Sequence, residues 1–247
     1  MVPSSMPPPS STSESAQPPA AVRLGAVRAR IAAAAARAAR DTADITVVAV
    51  SKTQPVEAIA ALATYGQRHF GENYLQEALE KIDALRGQNL VWHFIGQLQS
   101  NKTRPVAEHF DWAHTVDRLK LIERLAAQRP VHAPPLNVCI QVKLGQENTK
   151  AGAAPEELSA LLAAAAAAPR LRLRGLMALP PAEADELAQR RWFAELRRLF
   201  DVARREHPGL DTLSMGMSGD LEAAILEGAT LVRIGTALFG ERLQSRA

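Results

Sequence analysis

Apolar runs rich in β-branched residues alternate with amphipathic segments along most of the chain, and this alternation limits the possible folds more than any other feature. The first run, "ITVVAVS", is followed by "PVEAIAALATYG", whose apolar residues recur at helical spacing. The eight predicted strands lie at residues 45–51, 68–71, 90–96, 112–116, 136–142, 173–180, 212–217 and 231–235. A helical segment follows each strand, and another helix, residues 22–40, precedes the first.

Continuous apolar strands separated by helices are typical of a parallel sheet that helices cover. Eight strand–helix units predict a single (β/α)8 TIM barrel, for which we assign residues 21–247. The main alternative is an open, doubly wound sheet. The glycine fingerprint G-x-G-x-x-G of dinucleotide-binding sheets does not follow the first predicted strand, which favours the barrel.

The composition bears on the N-terminal segment, the partners and the location of the protein. Residues 1–20 are rich in proline and serine and carry almost no large apolar side chains, which predicts a disordered tail rather than a secretory signal. The net charge of +3 and an aromatic content of 4% do not point to a nucleic acid partner. No segment has the length and hydropathy of a membrane span. The single cysteine, Cys139, fits a reducing cytoplasm, where we expect the protein to reside.

Lys52 stands where the first apolar strand ends, and it has two possible explanations. It is either an ordinary solvated residue at a strand end or a reactive amine that points into a site. The carboxyl ends of barrel strands form the rim at which catalytic and binding groups converge. That rim is predicted to include Lys52, Glu72, Asn73 and part of the third strand around His93, which we expect to be a hydrogen-bonded residue rather than a base.

The predicted loops after the last two strands share the chemistry of a phosphate site. "SMGMSGD" and "GTALFG" combine glycines with hydroxyl side chains ahead of helical segments. Each loop alone is more typical of plain turns and helix caps. Neighbouring loops of the same kind at a barrel rim, however, are where many barrels bind phosphate.

A lysine that could form a Schiff base, opposite a phosphate site, makes pyridoxal 5′-phosphate (PLP) a sensible ligand. Arg233, on the last predicted strand, would then face the pyridine nitrogen. A guanidinium does not readily lend a proton, so that nitrogen would stay largely unprotonated. The alternative for Arg233 is an ordinary ion pair at a strand end.

Six segments resemble the YggS/PROSC family of PLP-binding homeostasis proteins: "AVSKTQP", "FGENYLQE", "WHFIGQLQSNK", "LRGLMALP", "LSMGMSGDLEAAI" and "VRIGTALFG". The resemblance runs from about Val22 to Arg242 and covers all eight units. It implies a barrel like the N-terminal domain of bacterial alanine racemase. It also implies a PLP-binding role for Lys52 as the Schiff-base lysine, Arg233 at the pyridine nitrogen, Asn73 at the rim, and Ser214, Met217, Ser218, Gly235 and Thr236 on the phosphate side.

By this resemblance the protein holds PLP and takes part in PLP and amino-acid homeostasis, with possible transfer to PLP-requiring apoenzymes and without established catalysis. A weak PLP-dependent racemase or lyase is the alternative, and a barrel aldolase that uses Lys52 with a sugar phosphate is another. A racemase of the related fold needs a tyrosine base on a second domain, and neither Tyr65 nor Tyr74 matches that base. Without such a domain we expect a monomer.

Two further lysines remain open as secondary PLP acceptors or as solvated loop residues: Lys102 after the third strand and Lys150 after the fifth. Histidine, cysteine and acidic residues show no clustering typical of metal ligands, so the sequence predicts no metal site.

Overall fold

The computed structural model describes residues 19–145 and 151–240. Within them, eight parallel strands close into a barrel in the order in which they occur along the chain. The strands are β1 (Thr46–Val50), β2 (His69–Glu72), β3 (Val91–Phe94), β4 (Trp112–Val116), β5 (Leu136–Gln141), β6 (Leu171–Met177), β7 (Thr212–Ser214) and β8 (Leu231–Ile234). The barrel closes between β1 and β8, where Val48 is paired with Arg233.

Helices surround the barrel in the expected alternation. They are α1 (Ala20–Arg37), α2 (Val56–Thr64), α3 (Leu75–Ala84), α4 (Thr103–His109), α5 (Leu119–Gln128), α6 (Leu158–Ala167), α7 (Glu186–Glu206), α8 (Leu221–Leu226) and α9 (Thr236–Phe239). The longest of them, α7, is capped by Asp185, whose side chain accepts hydrogen bonds from two backbone N–H groups of the first turn. Its buried residues, Phe193, Leu196, Phe200 and Ala203, follow the three- and four-residue spacing of one helical face.

The predicted (β/α)8 barrel is confirmed, and the departures concern element ends. Helix α1 begins at Ala20, the last residue of the predicted tail, while residues 1–18 lie outside the described part of the chain. Strand β7 stops at Ser214, three residues earlier than expected. The chain leaves the extended conformation there because Gly216 adopts a φ of +91° and turns toward α8.

Gly175 of β6 occupies a position where the neighbouring strand leaves no room for a side chain. A Cβ atom at this residue would lie 1.8 Å from the carbonyl oxygen of Thr212, a backbone atom of β7. We therefore expect Gly175→Ala to lower the free energy of unfolding by about 1–3 kcal/mol, because either the ladder or the strand must shift. Urea denaturation measures the change.

Gly25 offers a matched control for this prediction. It lies in α1, and a Cβ atom there would have no neighbour within 4 Å. Gly25→Ala should raise the free energy of unfolding by about 0.5–1 kcal/mol, because alanine loses less backbone entropy in a helix. Equal effects of the two substitutions would contradict the close packing of β6 on β7.

Candidate functional site

The turn after β1 holds Lys52 between two anchored neighbours. Ser51 is fully buried, and its hydroxyl donates to Glu72 Oε1 at 2.6 Å. Thr53 adopts a φ of +63°, which is unusual for a β-branched residue, and its N–H donates to Glu77 Oε1 at 2.6 Å. Lys52 itself is half-buried. Because both adjacent residues are fixed, the turn sets the direction in which the Lys52 side chain leaves the barrel wall.

A buried ion-pair cluster lies under this turn. The ammonium of Lys81, on α3, donates to the Ser51 carbonyl oxygen at 2.7 Å and to Glu72 Oε1 at 2.8 Å, and it also contacts Glu77. Glu72 is fully buried at the end of β2. Burial raises the pKa of the Glu72 carboxyl, while its hydrogen bonds from Lys81 and Ser51 act in the opposite direction. The cluster therefore ties the first two strands and α3 together at the rim.

Two buried acceptor atoms at the end of β2 have no hydrogen-bond donor among the described residues. They are Glu72 Oε2 and Asn73 Oδ1. The backbone around Asn73 is tightly packed, since a Cβ atom at Gly96 would lie 2.1 Å from the Asn73 carbonyl oxygen. Buried oxygen atoms without a donor are costly, so this edge of the rim is suited to a ligand or water that donates hydrogen bonds.

Arg233 lies on β8, next to β1, and is buried inside the carboxyl end of the barrel. Its guanidinium donates to Ser214 Oγ at 2.7 Å and to the carbonyl oxygen of Ala178 at 2.9 Å. Burial lowers the pKa of Arg233 to about 10, and the charge of Asp220 partly opposes this shift. Within residues 19–145 and 151–240 no carboxylate forms an ion pair with it, although the group still carries its positive charge at neutral pH.

The loop after β7 carries the predicted phosphate-side residues. Gly216 is essential to its shape, because a Cβ atom there would lie 2.6 Å from that of Ala224 and its φ is positive. The N–H of Met217 donates to Asp220 Oδ1 at 2.5 Å, so this amide is already engaged. Burial raises the pKa of Asp220, while the hydrogen bond from the Met217 N–H and the charge of Arg233 act in the opposite direction.

Helix α1 supports both loops from outside the barrel. Arg30 forms an ion pair with Glu222 of α8 at 2.7 Å and donates to the Ser218 carbonyl oxygen at 3.0 Å. Arg23 donates to the Leu238 carbonyl oxygen of α9 at 2.6 Å. The helix that precedes the barrel in sequence therefore fixes the position of the β7–α8 loop and of α9.

All eight residues that the resemblance assigned to PLP lie at the carboxyl half of the barrel. Ser214 ends β7 and touches Arg233, while Gly235 and Thr236 join β8 to α9. Ser214 is fully buried and its hydroxyl points inward, whereas Met217 and Thr236 are exposed. Lys102 is exposed on the short turn before α4, and Lys150 lies outside the described residues.

The predicted hydrogen bonding of His93 is confirmed, but its predicted position is wrong. His93 is fully buried within the barrel, and its ring contacts His69, the first residue of β2, and His114 of β4. His93 also lines the cavity at the amino-terminal mouth, so it lies away from the carboxyl-end rim. We did not single out His69, His114 or Lys81 in the sequence. A usable signal was present, since three of the six histidines fall within consecutive predicted strands.

Other functional classes find little support in the described residues. Cys139 is fully buried, and burial raises the pKa of its thiol to about 12, so it is not a thiolate nucleophile. In the same parts of the chain, histidine, cysteine and acidic residues do not gather in a group of three or more that could hold a metal ion. None of the helices described has the length and apolar character needed to cross a membrane.

Comparison with known proteins gives consistent results. The family described as "Alanine racemase, N-terminal domain" matches residues 22–243. A protein of Pseudomonas aeruginosa named "Pyridoxal phosphate homeostasis protein" is 57% identical over 223 residues, which are 90% of this chain and 95% of that protein. This chain belongs to that family.

Members of the pyridoxal phosphate homeostasis protein family match across almost their whole length. The Escherichia coli K12 protein of the same name is 52% identical, over 90% of this chain and 97% of its own length. The solved structure of PipY from Synechococcus elongatus PCC7942, with PLP bound, is 38% identical and superposes with a TM-score of 0.79. That comparison covers 90% of this chain and 100% of PipY. The barrel described above is thus the fold of the family.

Proposed function

We propose that this protein binds PLP at the carboxyl end of its barrel, covalently through Lys52, and takes part in PLP and amino-acid homeostasis without turning over a substrate. The observation that carries the proposal is Arg233, a buried cation without a carboxylate partner among the described residues. It lies on β8, beside β1, and the turn after β1 holds Lys52. The PLP-bound structure of PipY, a family member, supports the same ligand.

The residues at this end of the barrel fit PLP by their chemistry. A buried guanidinium needs an electron-rich partner, and the unprotonated pyridine nitrogen is one that it can hold by donating a hydrogen bond. The orphan oxygen atoms of Glu72 and Asn73 need donors, and a protonated group near Lys52 would supply one. The fixed turn around Lys52 limits the backbone entropy lost when its amine is captured.

The loop after β7 and the start of α9 are proposed to hold the phosphate. Ser218, Gly235 and Thr236 would provide hydroxyl and backbone donors there. The Met217 amide is less suited to this role because Asp220 already occupies it.

The absence of turnover is proposed from the electronics of the site. When bound, PLP supplies a reactive aldehyde and a pyridine ring that withdraws electrons most strongly when its nitrogen is protonated. Arg233 donates hydrogen bonds but does not give up its proton near neutral pH, so it would favour the weakly withdrawing form. The tyrosines of the described chain, Tyr65 and Tyr74, are more than half exposed at helix ends, a poor setting for a base.

Replacement of Lys52 tests the covalent attachment. Lys52→Ala should abolish the near-visible absorption band that the PLP-loaded protein shows when its cofactor is bound to a lysine. Borohydride treatment followed by peptide mass spectrometry should place PLP on Lys52 of the parent protein. Lys102→Ala is the matched control, because Lys102 is an exposed lysine of the same rim, and it should retain the band.

Other outcomes of these experiments would favour a different lysine or a different function. An unchanged band in Lys52→Ala would show that a different lysine holds PLP. Sustained racemisation or elimination across a panel of D- and L-amino acids, lost in Lys52→Ala, would favour the enzyme. A protein that ignores PLP but traps a keto-sugar phosphate on borohydride treatment would favour the aldolase.

We also propose a location, an oligomeric state and a class of partner for the protein. The buried, protonated thiol of Cys139 is compatible with a cytoplasmic location. We propose that the protein acts as a monomer that can release PLP to apoenzymes. Sedimentation analysis addresses the first point, and reactivation of a PLP-requiring apoenzyme by the loaded protein, compared with free PLP, addresses the second.

A further inference from the structure

A continuous line of hydrogen-bonded side chains crosses the interior of the barrel. His69 Nδ1 lies 2.9 Å from His93 Nε2, and His93 Nδ1 lies 2.9 Å from His114 Nε2. His114 Nδ1 lies 2.8 Å from Ser214 Oγ, which accepts a hydrogen bond from Arg233 at 2.7 Å. His69 begins β2, whereas Ser214 ends β7. The line, called the histidine line below, therefore runs from the amino-terminal mouth to the carboxyl half of the barrel.

The two ends of the histidine line differ in their access to water. At the carboxyl end Ser214 and Arg233 are buried, and so are His93 and His114 in the middle of the line. His69 is half-buried and faces a cavity of about 200 Å³ at the amino-terminal mouth. Asp44, Arg174 and Asp211 also line this cavity, and Asp111 lies near enough to act on the His69 charge.

The direction of the histidine line follows from the donor that begins it. Arg233 can only donate, so Ser214 Oγ must accept from it. His114 is the other hydrogen-bond partner of this oxygen among the described residues, and it is therefore the acceptor available for the single hydroxyl hydrogen.

Each histidine then follows from its neighbour. Because His114 Nδ1 accepts, its hydrogen is on Nε2 and is donated to His93. By the same step His93 carries its hydrogen on Nε2 and donates it to His69. All three imidazoles are thus assigned to the Nε2–H tautomer, and every hydrogen bond of the line points away from Arg233.

Electrostatics keep the two central imidazoles neutral, which this direction requires. Burial, followed by the charge of Arg233, lowers the pKa of His114 to about 3. Burial and the neighbouring histidines lower the pKa of His93 well below its usual value. Burial also lowers the pKa of His69, with Asp111 opposing. A neutral imidazole has one donor and one acceptor, so the line keeps a single direction.

We propose that His69, His93 and His114 are positioning residues that hold Ser214 as an acceptor for Arg233 and so keep the remaining guanidinium donors aimed at the bound cofactor. His69 completes the line from the opposite mouth without touching the cofactor site. If the acceptor nitrogen of His69 is lost, His93 is free to change tautomer, and the Ser214 hydroxyl hydrogen can then point away from His114. The role in cofactor binding rests on the proposed function, whereas the tautomers are a property of the chain itself.

A pair of variants at His69 separates this role from a purely structural one. His69→Gln keeps an amide oxygen that can accept from His93, whereas His69→Leu removes the acceptor and retains an apolar side chain. In the PLP-free parent and in His69→Gln, ¹⁵N-resolved NMR of labelled histidines should show His93 and His114 in the Nε2–H form. In His69→Leu both should become mixtures of tautomers.

The PLP-loaded proteins provide the second readout. His69→Leu should weaken PLP binding about five-fold, the equivalent of one net hydrogen bond, and shift the near-visible band, while His69→Gln should behave like the parent. His109→Leu, at an exposed histidine of α4, should leave PLP binding and the near-visible band unchanged.

Three results would overturn the inference. Nδ1–H tautomers in the parent would show that the histidine line runs in the other direction. Parent-like PLP binding and absorption in His69→Leu would show that the line does not act on the cofactor. A parent protein that binds no PLP would overturn the proposed function and, with it, this role of the histidines; the tautomer spectra distinguish that case because they need no cofactor.

Discussion

Lys81→Met is expected to lower the free energy of unfolding by about 3–5 kcal/mol, because it breaks a buried ion pair from one side only. The Lys81 side chain is 5% exposed and the Glu72 side chain is fully buried. Without Lys81, the Glu72 carboxylate keeps one hydrogen bond from Ser51 and loses its neutralising charge. Proton uptake by Glu72 limits this cost, since burial already raises the pKa of its carboxyl. Chemical denaturation at neutral pH measures the change.

Two further variants test whether the unpaired charge of Glu72 causes the loss of stability in Lys81→Met. Combining Lys81→Met with Glu72→Gln removes both charges, and most of the lost stability should return. Arg86→Met breaks the Arg86–Asp83 pair, whose side chains are 79% and 74% exposed, and should change the stability by no more than about 0.5 kcal/mol. A double variant no more stable than Lys81→Met alone would indicate that lost packing, and not charge, is responsible.

The Lys81 cluster also illustrates where reasoning from the sequence stopped. The barrel could be predicted because β-branched runs and amphipathic segments alternate eight times, and each run is long enough to recognise. Lys52 and Arg233 could be placed at one end because the ends of parallel strands share a rim. Lys81 lies on a helical segment with an ordinary mixture of charges, so nothing in its local pattern indicated that its ammonium enters the core beneath Ser51.

The histidine line required spatial information of a different kind. His69, His93 and His114 each have at least one apolar neighbour in the sequence, and the pattern alone places such a side chain either in the core or at the rim. Which one applies depends on the stagger of neighbouring strands. The register pairs Gly71 with His93, and His93 in turn with Trp112. Small offsets of this kind come from barrel closure and are not visible in one strand's sequence.

His114→Asn is expected to reduce the acid sensitivity of the fold. The neutral imidazole of His114 is held inside the barrel, where burial and Arg233 lower its pKa from 6.5 to about 3. Below pH 6.5 the unfolded chain binds a proton at this residue that the folded chain does not, so the stability falls as the pH falls. The loss for one such group is about 1.4 kcal/mol per pH unit and reaches about 5 kcal/mol near pH 3.

The lowered pKa values of His93 and His69 also reduce the stability as the pH falls. The raised pKa values of Glu72, Asp111 and Asp220 increase the stability as the pH falls. The comparison of parent and variant cancels the contributions of the groups that do not contact His114, whereas His93 also loses the influence of His114 on its pKa. We expect His114→Asn to be less stable than the parent at neutral pH, because Ser214 loses a partner. Below pH 6.5 its free energy of unfolding should fall less steeply with falling pH than that of the parent, by a slope that corresponds to about one proton per molecule.

Urea titrations at several pH values between about 5 and 8 measure this slope. His132→Asn is the control, since His132 is exposed and water solvates its imidazole in both states; its slope should match the parent's. An unchanged slope in His114→Asn would mean that the folded protein takes up a proton at His114 as readily as the unfolded chain. A charged imidazole beside Arg233 would then require an anion in the barrel interior, and the neutral histidine line would be wrong.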